Sequence, residues 1–427
     1  MKTASYFCSV KLYHNIRLLY TPVGFSAKRG KEMADIETVP NAAILTTEDG
    51  RIQAVGSFSE ERPTSPPIPS EKRIEIEEID CRGLVALPGF VDSHTHAVFY
   101  GERSEEFAMR AEGRSYQEIA GMGGGIRSSV EAVGQATKEE IAEYSRPFTR
   151  RALALGTTLM EIKSGYGLSL EAERKLLEAA DIVSRETPMQ IVKTFLGAHA
   201  VPRGRTQREY VESIVSEQLP SLYAMAEFCD VFMDEGYFSE DETVRICKRA
   251  KELGMKIKLH ADELAETHGA ETAVTLGAFS ADHLLNVSDA GIRALSESEH
   301  TVATLLPITA LSLRAAYAPA RKLIDAGCAV ALATDCNPGS SMSENMQFAV
   351  SLGVIAMQMS PAEALTAATL NGAAALDRAR THGTIEGGKM ADFVLYDIPR
   401  LEYMPYHIAV SDIVAVVRGG SVVSGAL

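Results

Sequence analysis

The sequence predicts an α/β protein: a (β/α)8 TIM barrel accompanied by a small β domain that the N- and C-terminal segments build together. Three observations predict it. Between about residues 84 and 355, apolar strand-like runs alternate eight times with amphipathic helical segments. Short strand-and-turn patterns flank that stretch on both sides. Several of the runs end in histidines and acids, and in a barrel the strand C-termini share one rim. Eight alternations over roughly 250 residues suit a closed barrel better than an open doubly wound sheet.

Residues 1–88 read as the N-terminal part of the small domain. A strand at 42–47 meets a turn carrying the Asp49-Gly50 hairpin signal and a returning strand at 52–56. A Pro-rich loop spans 62–69. Residues 72–81 alternate charges with isoleucine, as a half-exposed strand does. The barrel is expected over 89–382, its strand runs lying at 84–92, 157–163, 190–196, 230–233, 256–260, 281–284, 302–306 and 329–334. Helices are expected at 169–185, 206–225, 239–253 and 320–326, several opened by a Ser or Thr cap and several closed by Gly. Helical segments at 346–358 and 361–376 follow the eighth run. Residues 383–427 return to the small domain with strands at 393–396, 413–418 and 421–424.

Composition excludes several functions. At 46% hydrophobic and 23% charged, the 427-residue chain has a globular balance, and no run approaches the roughly 18 apolar residues of a membrane span. A net charge of −15 argues against nucleic acid or an anionic membrane as partner and leaves a small-molecule substrate. Six scattered cysteines and the lack of a signal-peptide pattern predict a reduced, cytoplasmic enzyme. The first 30 residues carry Lys2, Lys11, Arg17, Lys28 and Arg29 without an acid, which also suits a transit segment, although extra ordered residues are the simpler account. No role follows for the first 40 residues.

The chemistry starts at the first run, which ends in His94 and His96. Residues two apart on an extended strand share a face, so both imidazoles can aim at one point beyond the strand's end. The other runs end in Glu161 and Lys163, His199, Asp234 and Glu235, His260, His283, and Asp335. His94, His96, His260 and Asp335 offer three nitrogens and one oxygen, a set suited to one divalent zinc or ferrous ion with room for a water. Glu263, three residues past His260, is placed to shuttle a proton, and His283 to hold the same water. His268 reads as a helix-start residue. Cys336 neighbours Asp335 along the strand, and so points the other way. The fourth run ends without a lysine that could be carbamylated to bridge two metals, which argues for one ion per subunit; Lys163 on the second run is the residue that would challenge this.

These residues resemble a known family. The segments 87–96, 258–263, 280–284 and 333–335 are similar to the amidohydrolase superfamily, metal-dependent barrels with a flanking β-sandwich. More narrowly, Glu161-Ile162-Lys163-Ser164-Gly165-Tyr166-Gly167, the 195–200 segment and Asp335-Cys336-Asn337-Pro338-Gly339-Ser340 resemble its branch that opens an imidazolone ring in histidine breakdown. The resemblance implies hydrolysis of 4-imidazolone-5-propanoate to N-formimidoyl-L-glutamate. It implies substrate contacts at Arg103, Tyr166, His199, Glu263 and Ser340, with Tyr166, Asn337 and Gly339 also touching product. A homodimer is expected by analogy.

Taken alone, those contact residues leave alternatives. Arg103 suits a propanoate tail through bidentate guanidinium pairing, but 101–106 also reads as a solvated charged loop. Tyr166 sits between two glycines where a ring can meet a ligand, or can merely pack. Asn337-Pro338-Gly339 is also an ordinary turn. Tyr116 is a further candidate contact, and the glycine-rich stretch 121–125 a candidate lid. The competing enzyme is a sister deaminase releasing ammonia; the competing class is a metal-free scaffolding relative, which would have lost a ligand.

Overall fold

The computed structural model describes residues 10–58, 76–114, 118, 122 and 124–427. The Pro-rich stretch 62–69, Tyr116, Gly121 and Gly123 lie outside the described residues.

Eight parallel strands, hydrogen-bonded in sequence order, form the barrel: β6 (Phe90–Asp92), β7 (Thr157–Lys163), β8 (Gln190–Ala198), β9 (Phe228–Met233), β10 (Lys256–Ala261), β11 (Ser280–His283), β12 (Val302–Leu305) and β13 (Val330–Leu332). They correspond to the eight expected runs. The ring closes beyond the ends of β6 and β13. There the Asp92 carboxylate accepts from the Thr334 amide (3.0 Å) and hydroxyl (2.6 Å), Asp335 N donates to His94 O (3.0 Å), and His96 N donates to Cys336 O (2.9 Å). The segments that carry His94, His96 and Asp335 thus seal the barrel by pairing with each other.

A second, mixed sheet is built from both ends of the chain: β1 (Val10–Pro22), β2 (Ile36–Thr46), β3 (Ile52–Ser57), β4 (Ile76–Asp80), β5 (Val85–Pro88), β14 (Phe393–Tyr396), β15 (Ile413–Arg418) and β16 (Ser421–Gly425). Its own core includes Tyr13, Ile16, Ile44, Phe393 and Val417. The long strand β1, in a region given no role by the sequence, is central: it pairs with β2, β4 and β5.

One expectation is corrected. The run 84–92 is two strands in two sheets. β5 pairs with β1 and β14, and at Gly89 the pairing changes hands: Gly89 N donates to Asp392 O (3.0 Å), while Phe90 N donates to Gly156 O (2.9 Å) in the barrel. Pro88 brings no amide donor, and a Cβ at Gly89 would stand 2.3 Å from Thr158 Oγ1, so only glycine passes this close.

The helices around the barrel start where capping chemistry places them. Thr137, Thr206, Ser239 and Ser360 each form a capping box with the glutamate three residues on. The segment from Pro361 to Ala375 packs Ala373 against Val91, Leu159, Val192 and Phe228 at the strands' starting end. That plugs one end of the barrel and leaves the strand C-termini as the open mouth.

Candidate metal centre and substrate cavity

The donor atoms of His94, His96 and His260 lie within 4.8 Å of one another, all buried. Asp335 joins them: its Oδ1 is 3.6 Å from His94 Nε2 and 3.5 Å from His96 Nε2. Those separations are too long for hydrogen bonds. They match the spacing of roughly 3.4 Å between tetrahedral ligands whose bonds are about 2.0–2.1 Å. His94 Nε2 is buried with no hydrogen-bond partner among the described residues, an orphan that a cation would satisfy. The donor set therefore fits a divalent metal.

Three of the four donors are aimed from behind. The Asp282 carboxylate accepts from His94 Nδ1 at 2.6 Å, which leaves the Nε2 lone pair facing the cluster. Asp230 Oδ2 lies 3.0 Å from His260 Nδ1, and its Oδ1 accepts from His260 N at 3.1 Å. Thr309 donates to Asp335 Oδ2 (2.7 Å), turning Oδ1 inward. Burial holds the pKa of His94 and of His96 well below the ordinary value, so both rings are neutral. Burial also opposes the charged ring of His260, but the Asp230 carboxylate outweighs it and raises that pKa.

Beneath the cluster lies a fully buried charge layer that the sequence reading did not assemble. Lys163 Nζ is 2.7 Å from Asp230 and 2.8 Å from Glu161, and Lys258 Nζ is 3.0 Å from Glu161 and 3.7 Å from Asp282. The signal was available: Lys258 and His260 are two apart on β10, as Glu161 and Lys163 are on β7, so each pair shares the interior face. Lys163 is a cation spent on carboxylates, not a free amine awaiting carbamylation.

Several site residues bend sharply at the rim. Asp262, His283, Leu284 and Asp335 all adopt left-handed φ values, between 51° and 78°. Non-glycine residues are strained there, and the strain is concentrated where side chains must be re-aimed. Asp234 stays out of the metal set. Its carboxylate accepts from the amides of Glu263 (2.8 Å), Leu264 (2.9 Å) and Ala265 (3.1 Å), fixing the loop that carries Glu263. Glu263 Oε2 stands 3.5 Å from His283 Nε2. Burial and the neighbouring Asp335 push the Glu263 carboxyl up to about 8, and burial keeps His283 neutral. His268 caps the helix Gly269–Thr275 with its ring 67% exposed, and Cys336 belongs to neither metal-competent cluster among the described residues.

A cavity of about 350 Å³ opens above the cluster. Arg103, Tyr166, His199, Glu263, His283, Asn337, Gly339 and Ser340 all line it beside His96, His260 and Asp335. His199 Nδ1 donates to Gly165 O (2.9 Å), and its ring stacks 5.1 Å from His96. Glu173, unnoticed in the sequence, accepts from the amides of Gly165, Gly167 and Leu168 and so holds the Tyr166 loop. The Asn337 side chain is spent on its own turn, accepting from Gly339 N and Ser340 N. Arg103 is not a free fork: its Nε and Nη2 both donate to Glu106 Oε2, at 2.9 and 2.7 Å. Arg110, Phe232, Tyr237 and Leu313 also line the cavity and were missed: Arg110, Tyr237 and Leu313 are helix or loop residues with no strand-end signal, and Phe232, near the end of β9, is apolar.

A closed parallel barrel with three histidines and an aspartate gathered at its C-terminal mouth defines the metal-dependent barrel hydrolases. The amidohydrolase family model matches residues 85–426. The structure of guanine deaminase from E. coli superposes with a TM-score of 0.70 at 16% identity, covering 98% of this chain and 100% of that one. That of an adenosine deaminase from Xanthomonas campestris with bound zinc gives 0.68 at 18%, covering 97% and 92%. At those identities the likeness is one of fold. Sequence relatives are nearer: imidazolonepropionase from Clostridium tetani is 44% identical over 414 residues, covering 96% of this chain and 97% of its own. The imidazolonepropionase from Syntrophobacter fumaroxidans is 45% identical over 415 residues, covering 96% of each. The chain belongs to the amidohydrolase family and, within it, to the imidazolonepropionases.

Proposed function

We propose that the chain hydrolyses 4-imidazolone-5-propanoate to N-formimidoyl-L-glutamate, with one divalent ion, zinc or ferrous iron, held by His94, His96, His260 and Asp335. The observation that carries this reading is the meeting, in one cavity, of a metal-competent cluster, a carboxyl held near neutrality and a guanidinium. A cation in such a site supplies Lewis acidity toward the ring carbonyl and lowers the pKa of water.

The chain's own residues do the rest. In the reaction a water oxygen joins the ring carbonyl carbon, the bond from that carbon to nitrogen breaks, and the nitrogen takes a proton. Glu263, pushed up to about 8, is suited to accept the proton from water and return it to the departing nitrogen. His283, neutral and 3.5 Å from Glu263, orients the attacking water. Tyr166 and His199 wall the ring, Ser340 and the 337–339 turn offer polar contacts to substrate and product, and Arg103 faces the tail.

No helix among the described residues is long and apolar enough to cross a membrane. The five described cysteines are buried and unpaired, which supports a reducing, cytoplasmic setting. The homodimer expected by analogy is tested by light scattering. The reaction is tested by following loss of substrate absorbance against a no-protein control. Acceleration that a chelator abolishes, with N-formimidoyl-L-glutamate as product, upholds the reading. Ammonia release would favour the deaminase alternative.

A further inference from the structure

We propose that Arg110, which nothing above assigns to binding, is the counter-charge for the substrate's carboxylate tail and clamps it together with the one free edge of Arg103. The proposal rests on the substrate reading above and deepens it. Arg103 is the obvious anchor, yet its charge is already matched. Glu106 takes its Nε and Nη2 at 2.9 and 2.7 Å, and Glu106 is itself fixed by Gly125 N (3.0 Å) and the Ser128 hydroxyl (3.2 Å). The remaining Nη1 lies against the 337–340 turn, where a Cβ at Gly339 would come within 2.5 Å of it. Arg103 and Glu106 together therefore present no net charge, and only the Nη1 side of the guanidinium is left for a ligand.

Arg110 differs on each count. It follows Arg103 by seven residues, Arg103 being the N-cap of the helix Ser104–Ala111 and Arg110 in its last turn, so both side chains leave from one helix face and both line the cavity. Among the described residues it makes no ion pair, and its buried Nε has no hydrogen-bond partner. Burial and the nearby Arg103 disfavour its charge by more than the Glu106 carboxylate favours it, though a guanidinium stays protonated at any working pH. A buried, unpaired donor beside a like charge is costly by itself and is relieved by an anion. The carboxyls of Glu263 and Asp335 line the same cavity, so an anionic tail needs a net cation there, and Arg110 supplies it.

The test uses the full-length, metal-loaded protein and two probes, 3-(imidazol-4-yl)propanoate and 4-propylimidazole, which differ in the tail carboxylate. The parent is expected to prefer the propanoate probe by about 10- to 100-fold, the range of a charge-assisted contact. Arg110→Gln should bring the two affinities together without changing that of 4-propylimidazole, and Arg110→Lys should recover part of the preference. In turnover of 4-imidazolone-5-propanoate, Arg110→Gln should raise KM by a similar factor with kcat nearly unchanged. A preference retained in Arg110→Gln overturns the proposal, as does a parent with no preference. The unchanged 4-propylimidazole affinity reports an intact site in each variant. If the parent fails to open 4-imidazolone-5-propanoate yet shows an Arg110-dependent preference, the substrate reading falls and the carboxylate clamp stands.

Discussion

Asp282 Oδ2 lies 2.6 Å from His94 Nδ1, reaching it from β11, three strands around the ring from β6. The contact joins residues 188 positions apart and makes β11 the support for a donor atom carried by β6. The same Asp282 faces Lys163 at 3.8 Å and Lys258 at 3.7 Å. Its charge is thus held between two ammonium groups and one imidazole in a dry interior, where an isolated carboxylate would not persist. Asp282→Asn should lower metal affinity by about 10- to 100-fold, the usual effect of removing a carboxylate behind a ligating histidine. Competition with a chromophoric chelator measures it. An unchanged affinity would mean that His94 is oriented by packing alone.

Glu263→Gln keeps the side chain's shape and its loop, since Asp234 holds the loop by its backbone amides. It removes only the proton acceptor. Turnover should fall by about 10²- to 10⁴-fold, the range for a positioned acid–base group. Metal content, read by elemental analysis, should stay at the parent level. Near-normal turnover would remove Glu263 from the mechanism.

Stripping the metal should abolish turnover and lower the melting temperature together, because three of the four proposed donors, His94, His96 and Asp335, stand on the two segments whose backbones close the barrel between β6 and β13. Free metal at about 100 times its Kd should add about 2.7 kcal/mol of stability. Titrating zinc into stripped protein while recording melting curves checks this. A melting temperature insensitive to zinc would sever the cluster from the fold.

His382 offers a pH signature away from the metal. Its ring accepts from the Thr381 hydroxyl at Nδ1 (2.8 Å) and donates to Gln190 Oε1 from Nε2 (2.9 Å), an arrangement of the neutral ring. Burial, reinforced by Arg378 and other nearby cations, depresses its pKa from 6.5 to about 4. Between those values the unfolded chain binds a proton that the folded chain refuses. The stability is therefore complete above pH 6.5 and drains as the pH falls toward 4. At about 1.4 kcal/mol per unit, the loss is about 3 kcal/mol. His382→Gln should be less stable than the parent at pH 7.5, with the gap narrowing by about 2 kcal/mol by pH 5. A gap in melting temperature that stays constant with pH would exclude this titration.

Much of the site was legible in the sequence for a definite reason. Strand period and strand ends are local properties, and a parallel barrel turns strand ends into one rim. His94, His96, His260, His283 and Asp335 could therefore be placed together before any contact was known. The helix starts were legible too, because a capping box is satisfied within four residues. The break at Pro88-Gly89 was not, because an apolar run reads alike in either sheet, and only the approach of Thr158 shows where the chain changes partners.

By itself, then, the sequence determined the alternation that makes the barrel, the residue types at its mouth and the family those motifs indicate. Tertiary structure alone decided which nitrogen of each histidine faces the cluster, which carboxylates brace the ligands, and that Arg103 is matched by Glu106 while Arg110 is not. Those outcomes depend on Coulomb and hydrogen-bond contacts that act over a few ångströms. Most are made between side chains far apart in the chain; the Arg103–Glu106 pair is local, but its carboxylate is also held by Gly125 N and the Ser128 hydroxyl from a separate segment.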